Sequence, residues 1–310
     1  MIEQIIDSES IQEMENFSKP FERLNFLIPF VYGLPTRLFR LVLNNFPTFN
    51  PLNSSSTRPE PTMVSELIVN DRRMLVEWFF PDSFVSINSV VLYIHGGGWF
   101  AHNRQSYSEI INRLVDAGNL VLYPNYSLSP EFPFDQALKE CQAVIDNYLL
   151  NQNWSPRIQI MGDSAGGNLA AVLSSRYSHL VDRSVLLFPV LDKDFERDSY
   201  LINENNPFLP RMAMMRYWRM YGFNYSGCVP EACPLSLPVE KMSQLPPTVI
   251  ITGTKDVLHD EAIEYARRLE RVGVYNQTFV YVEMVHDFFL FGKMSQTRNG
   301  VHLFDVICKK

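Results

Sequence analysis

The run Ile158-Gln-Ile-Met-Gly162-Asp163-Ser164-Ala165-Gly166-Gly167-Asn168 carries a serine with glycines two residues before and two residues after it. An apolar, β-type run precedes the serine and a helical pattern follows it. A chain that turns so sharply from strand into helix holds Ser164 at the apex in a strained conformation, and glycines leave room on either side. The turn lifts the hydroxyl clear of a sheet. It also places it at a helix N-terminus, where the backbone dipole favours developing negative charge. The chemistry is that of an activated nucleophile. A glycine-rich turn with an ordinary N-capping serine is the plainer alternative, and the flanking strand and helix count against it.

A second signal is His95-Gly96-Gly97-Gly98-Trp99, directly after the continuous apolar run Ser89–His95. Three glycines at a strand end expose backbone N–H groups with no side chain in the way, an arrangement that can bind an oxyanion. Alone it would serve equally as a phosphate-cradling loop, although no Gly-Lys-Ser/Thr follows. His95 reads as a structural imidazole that holds the loop, being too close to it for an in-line base.

Elements able to position these groups are legible around them. Val64–Val69 and Met74–Phe80 read as strands meeting at Asn70-Asp71-Arg72. Buried strands are expected at Ser89–His95, Leu120–Tyr123, Ile158–Met161, Ser184–Phe188, Thr248–Thr252 and Gln277–Tyr281. Helical spacing covers Ser106–Ala117, Phe134–Leu150, Asn168–Ser175 and Asp260–Val272. Repeated strand–helix alternation predicts an α/β fold with a mostly parallel central sheet flanked by helices. Residues 1–46 read as apolar, aromatic and helical, and Pro47–Pro61 as a linker. Asp192 to Pro247 breaks the rhythm, with no clear β-run but many aromatics and methionines.

The 310 residues, 46% hydrophobic and 20% charged, describe a globular chain. A net charge of −7 disfavours nucleic acid and anionic membrane as partners. Leu24–Leu43 is interrupted by Asn25, Pro29, Pro35, Arg37 and Arg40, so no transmembrane segment is expected. No secretory leader is visible, which implies a cytoplasmic protein in which Cys141, Cys228, Cys233 and Cys308 stay reduced. The sequons at Asn53, Asn125, Asn153, Asn224 and Asn276 then carry no weight. No metal site and no cofactor is expected, and a homodimer stays open.

The two glycine motifs, in this order, resemble those of the α/β-hydrolase fold, specifically the hormone-sensitive-lipase-like esterases that include arylacetamide-deacetylase-like enzymes. The resemblance spans residues from about 64 to 291. Tyr126-Ser-Leu-Ser-Pro130-Glu131-Phe-Pro133-Phe and Leu245-Pro-Pro-Thr-Val-Ile-Ile-Thr-Gly253-Thr-Lys-Asp256 are similar to further segments of that family. It implies Asp256 as the acid of a triad with Ser164. Asp192 and Asp194 are the runners-up, while Asp260 and Glu261 suit the start of the next helix. His286, after the last core strand, is the implied base, ahead of His102, His179, His259 and His302. Gly97, Gly98 and Ala165 would supply oxyanion N–H groups, with Gly96 shaping the turn. Asp163 and Glu131 would brace the elbow and the loop, and Trp99 and Phe100 would touch substrate. A helical cap built from residues 1–60 and an insertion at about 195–225 would cover a catalytic unit of residues 61–310.

The implied activity is hydrolysis of small carboxylic esters with short-to-medium acyl chains. A non-catalytic small-molecule receptor on this fold, an amidase or formamidase, and a lipase are the rivals. Two departures stand out. Asp256-Val257-Leu258 replaces the family's common Asp-Pro-Leu, removing a stiffening proline. His286-Asp287-Phe288 replaces His-Gly-Phe, and a carboxylate beside the base would raise its pKa and shift the pH optimum upward.

Overall fold

The computed structural model describes residues 1–23, 27–45, 60–82, 87–102, 104–150, 152, 154, 156–223, 227–291 and 294–308. The expected linker lies outside these residues apart from Glu60 and Pro61, as do the sequons at Asn53, Asn153 and Asn224.

In chain order the elements begin with β1 (Ile2–Ile5), α1 (Ser8–Glu22), α2 (Ile28–Gly33), α3 (Thr36–Asn45), β2 (Met63–Val69), β3 (Arg72–Phe79) and β4 (Ser89–Ile94). Then come α4 (Ser108–Asp116), β5 (Leu120–Pro124), α5 (Gln136–Tyr148), β6 (Arg157–Asp163), α6 (Ser164–Arg176) and β7 (Arg183–Leu187). The chain ends with α7 (Asp198–Ile202), α8 (Arg211–Tyr221), α9 (Val239–Met242), β8 (Thr248–Lys255), α10 (His259–Arg271), β9 (Asn276–Val285) and α11 (Arg298–Cys308).

One 9-stranded sheet runs β1-β9-β8-β7-β6-β4-β5-β3-β2. Its pairs are parallel from β1 to β5, and β3 and β2 add an antiparallel hairpin at one edge. Both faces are covered, which is why the central strands read as unbroken apolar runs. In β4, Val90, Leu92 and Ile94 enter the core with α5, α6 and α10, while Val91 and Tyr93 enter the opposite core with α4 and α11. That alternation is the pleat expressed as two hydrophobic layers.

Every strand expected from the sequence is present, with ends moved by a few residues. The structure differs at both termini. Ile2–Ile5, expected to be helical, is a strand paired parallel to β9, and α1 packs on β9 and α11. The helix α11 had no counterpart in the sequence reading. The helices α2, α3 and α8 meet over the carboxyl end of the sheet. There Phe39 of α3 stacks near Phe100 and Tyr217, and the Arg216 guanidinium donates to the carbonyls of Tyr32 and Leu34. Among the described residues, Asp192 to Pro247 contains helices and no strand, as expected.

The cysteine expectation is corrected. Cys228 and Cys233 form a disulfide, while Cys141 and Cys308 are free. The loop between the paired cysteines closes on itself through Cys233 N–H to the Val229 carbonyl at 2.7 Å, which brings the two sulfurs together. Among the described residues no helix is long and apolar enough to cross a membrane.

The tightest contact lies between β4 and the start of α6. A Cβ on Gly166 would stand 2.0 Å from the Ile94 carbonyl oxygen and 2.5 Å from that of His95, both backbone atoms that cannot swing away. Gly166→Ala is therefore expected to lower stability by about 2–3 kcal/mol. Urea unfolding of the purified variant beside the parent checks this, and an unchanged midpoint would refute it.

Candidate active site

Ser164 sits at the junction of β6 and α6 with φ 53°, the left-handed conformation that the sharp strand-to-helix turn imposes. The side chain is 5% exposed. Its Oγ lies 2.9 Å from Nε2 of His286, which follows β9. On the other side of the ring, Nδ1 lies 2.7 Å from Oδ2 of Asp256, which follows β8. The second oxygen of Asp256 accepts the Leu258 N–H at 2.9 Å, so the loop after β8 orients this acid without a proline. Three strand ends thus deliver an alcohol, an imidazole and a buried carboxylate to one line. Such a line can take a proton from the alcohol and stabilise the resulting imidazolium.

The runner-up groups lie elsewhere. Asp192 pairs with Arg197, Asp260 accepts the Ser199 N–H, and Glu261 accepts the Leu191 N–H. His259 bonds Thr252, His302 bonds Tyr281, and His179 is exposed.

Gly97 and Gly98 take positive φ values of 95° and 61°. Their N–H groups meet no acceptor among the described residues. Ala165 lies in the first turn of α6, where N–H groups have no partner within the helix. Gly96 donates to both oxygens of Asp163 at 3.0 and 3.1 Å, and Tyr93 donates to Asp163 Oδ1 at 2.7 Å. Asp163 therefore straps the glycine loop to the elbow. Glu131 is ion-paired with Arg40 at 2.6 Å. Arg40, from α3, also donates to the carbonyls of Phe100 and Ser129 and so ties the glycine loop to its neighbour.

Trp99 and Phe100 are fully buried. Trp99 stacks on Tyr221 at 4.1 Å and Phe100 on Phe39 at 5.3 Å, so their ring faces are used in packing against α8 and α3. The ring of Tyr217 stands over the loop, 2.6 Å from where a Cβ on Gly98 would be.

Sequence reasoning missed Arg40, Tyr126 and Tyr217. The hydroxyl of Tyr126 donates to the His95 carbonyl at 2.7 Å, and the two rings stack at 4.3 Å. Tyr126 lay within a segment already noted, and its aromatic hydroxyl could have been weighed. Arg40 and Tyr217 reach the loop only through tertiary packing.

Residues 91–290 match the alpha/beta hydrolase fold family, and the chain belongs to that family. It is similar to an esterase of Gibberella moniliformis, 31% identical over 60% of this chain and 62% of that one. It is also similar to arylacetamide deacetylase of Bos taurus, 27% identical over 76% and 77% of the two chains. Among solved structures, a fungal esterase from Rhizomucor miehei superposes with a TM-score of 0.76 at 28% identity, over 89% of this chain and 90% of that one. The resemblance read from the glycine motifs thus holds, and these relatives and this structural neighbour are esterases and a deacetylase by name.

His95 holds the loop as a neutral ring. Burial pushes its pKa from 6.5 down to about 3, against a hydrogen bond from Nδ1 to the Gly96 carbonyl. Above pH 6.5 both folded and unfolded chains hold the ring neutral, so it contributes no pH dependence there. Between pH 6.5 and about 3 the unfolded chain binds a proton that the folded chain refuses. Stability then falls with falling pH by up to about 1.4 kcal/mol per unit from this residue. His95→Gln is expected to flatten the stability-against-pH curve by that slope between pH 6.5 and 4.5, measured by urea unfolding, whereas parallel curves would refute the assignment.

Proposed function

We propose that this protein hydrolyses small carboxylic esters through an acyl-enzyme on Ser164. The observation that carries this reading is the continuous line Asp256–His286–Ser164, with contacts of 2.7 and 2.9 Å. His286 Nε2 takes the Ser164 proton as Oγ bonds to the ester carbon. Asp256 holds the ring with Nδ1–H toward itself and stabilises its charge. The N–H groups of Ala165, Gly97 and Gly98 receive the negative charge on the carbonyl oxygen. The C–O bond to the alcohol then breaks, and the alcohol leaves with the proton from Nε2. Water repeats the sequence on the acyl-enzyme and frees the acid.

Gly96, Asp163 and Glu131 act at a distance, keeping loop and elbow in register. The helices α2, α3 and α8 form a cap over the site. Short-to-medium acyl chains suit it, because Tyr217 crowds Gly98 while Ser164 and His286 are only 5% and 8% exposed. The names of the relatives, an esterase and arylacetamide deacetylase, support the ester reading over a receptor. The Cys228–Cys233 disulfide suits an oxidising compartment better than the cytoplasm expected from the sequence.

The test is turnover of p-nitrophenyl esters of increasing chain length. Ser164→Ala should abolish release beyond background. Asp256→Asn should lower kcat by about 10³–10⁴-fold, because the ring loses its fixed tautomer. A folded parent protein that turns over none of these esters would overturn the proposal.

A further inference from the structure

Asp287 lies on the reacting side of the ring. Its Oδ2 stands 3.2 Å from Nε2 of His286, the same nitrogen that faces Ser164 Oγ at 2.9 Å. The residue is 6% exposed, and its Oδ1 meets no hydrogen-bond partner among the described residues.

A ring nitrogen carries either a proton or a lone pair, and has one in-plane direction in which to use it. In a resting triad Nε2 carries the lone pair and accepts the serine hydroxyl. An ionised carboxylate oxygen at 3.2 Å from that lone pair would be repelled. The contact is favourable only with a proton between the two atoms, whether counted on the ring or on the acid. Here that proton is additional to the Nδ1–H held by Asp256.

We infer that Asp287 is a positioning residue that keeps one extra proton between its carboxylate and His286 in the empty site, so that the triad works only once that proton has left. The inference rests on the triad reading above and adds its regulation by pH.

The surroundings point the same way. Facing the ring are Asp256 from the end of β8, Asp287 from its own turn, Ser164 from α6, and the apolar edge of Phe188 from the end of β7. Behind Asp287 lies Asp163, with Tyr93 and Tyr107 beside it; burial, and then the Asp287 charge, push the Asp163 carboxyl well above the usual carboxylate range. Burial pulls the His286 pKa down, but the charges and hydrogen bonds of Asp256 and Asp287 outweigh burial and hold it well above the ordinary histidine value. Burial pushes Asp287 up, and the His286 charge pulls it partly back. Such a proton belongs to the coupled pair, not to either residue.

The same charge that delays activation also stabilises the imidazolium formed during acyl transfer. Removing it should therefore move the pH profile and lower the plateau together. A residue that merely filled space would change the rate without moving the profile.

The experiment compares kcat/KM for p-nitrophenyl acetate against pH in the parent, Asp287→Gly and Asp287→Asn. Asp287 has φ 48°, a conformation that glycine and asparagine both accept, so both variants are expected to fold. The parent should gain activity with a midpoint above about 6.5, the ordinary histidine value. In both variants the midpoint should fall by about one pH unit or more, which is the size of shift a neighbouring carboxylate exerts. Each variant would then retain a larger share of its own plateau rate at pH 6 than the parent does. Equal midpoints in all three proteins would overturn the inference. If the parent hydrolyses no ester, the esterase reading fails by itself. The His286 ring titration, followed by ¹⁵N NMR and assigned with His286→Gln, still decides the matter. A ring that titrates at the same pH in the parent and in Asp287→Gly would refute it.

Discussion

Two backbone segments press against each other at the carboxyl end of the sheet, and the site depends on that contact. Ile94 and His95, at the end of β4, lie so close to Gly166 that no Cβ fits there, and a Cβ on Gly162 would meet the Gly166 carbonyl oxygen at 2.4 Å and that of Ile94 at 2.8 Å. Gly96 is pressed in the same way against the Asp163 carboxylate and the Ser164 Cβ. Parallel pairing of β4 with β6 sets the approach, since Ile94 and Gly162 are register partners. Once the two strand ends are fixed side by side, the elbow and the glycine loop face one another without further adjustment. The loop N–H groups and the Ser164 hydroxyl then share one small volume. Electrostatic stabilisation of an oxyanion demands donors placed in advance, not recruited during the reaction. Backbone held by a sheet meets that demand better than side chains on a mobile loop.

How far the fold could be read from the sequence follows from where each signal resides. The central strands were legible because burial on both faces leaves uninterrupted apolar, β-branched runs. The serine elbow was legible because a strained turn needs particular residues at fixed offsets, all within one short segment. Asp256 and His286 were legible only through likeness to a known family, since nothing local sets them apart from other loop acids and histidines. The strand Ile2–Ile5 was not legible. It is short, contains Glu3 and Gln4, and exists because the free edge of β9 offers it a partner 276 residues away. The Cys228–Cys233 bond depended on how a six-residue loop folds back, which spacing alone did not reveal. The position of Arg40 over the glycine loop depended on contacts with residues 60 and 89 positions further along. Such interactions leave no periodic trace.

Three buried carboxylates crowd the end of the sheet, and counting their donors separates their roles. Asp163 receives the N–H of Gly96 and the hydroxyl of Tyr93. Asp256 receives the His286 ring and the N–H of Leu258, one at each oxygen. Both acids thus have neutral or charged donors that persist whatever the state of the catalytic nitrogen. Among the described residues, the Asp287 side chain has one polar contact, to that nitrogen itself, and its other oxygen has no hydrogen-bond partner. A buried carboxylate without donors is costly when ionised, more so beside two others. Of the three, Asp287 is the one that faces the same ring nitrogen as Ser164. On the proposed reading, aspartate in place of glycine changes the proton count of His286 Nε2, while the left-handed turn that glycine would favour is kept. Backbone geometry and proton affinity, which a single residue usually sets together, are separated here. The turn positions the ring and, in the proposal, the side chain on the turn sets when the ring is free to act.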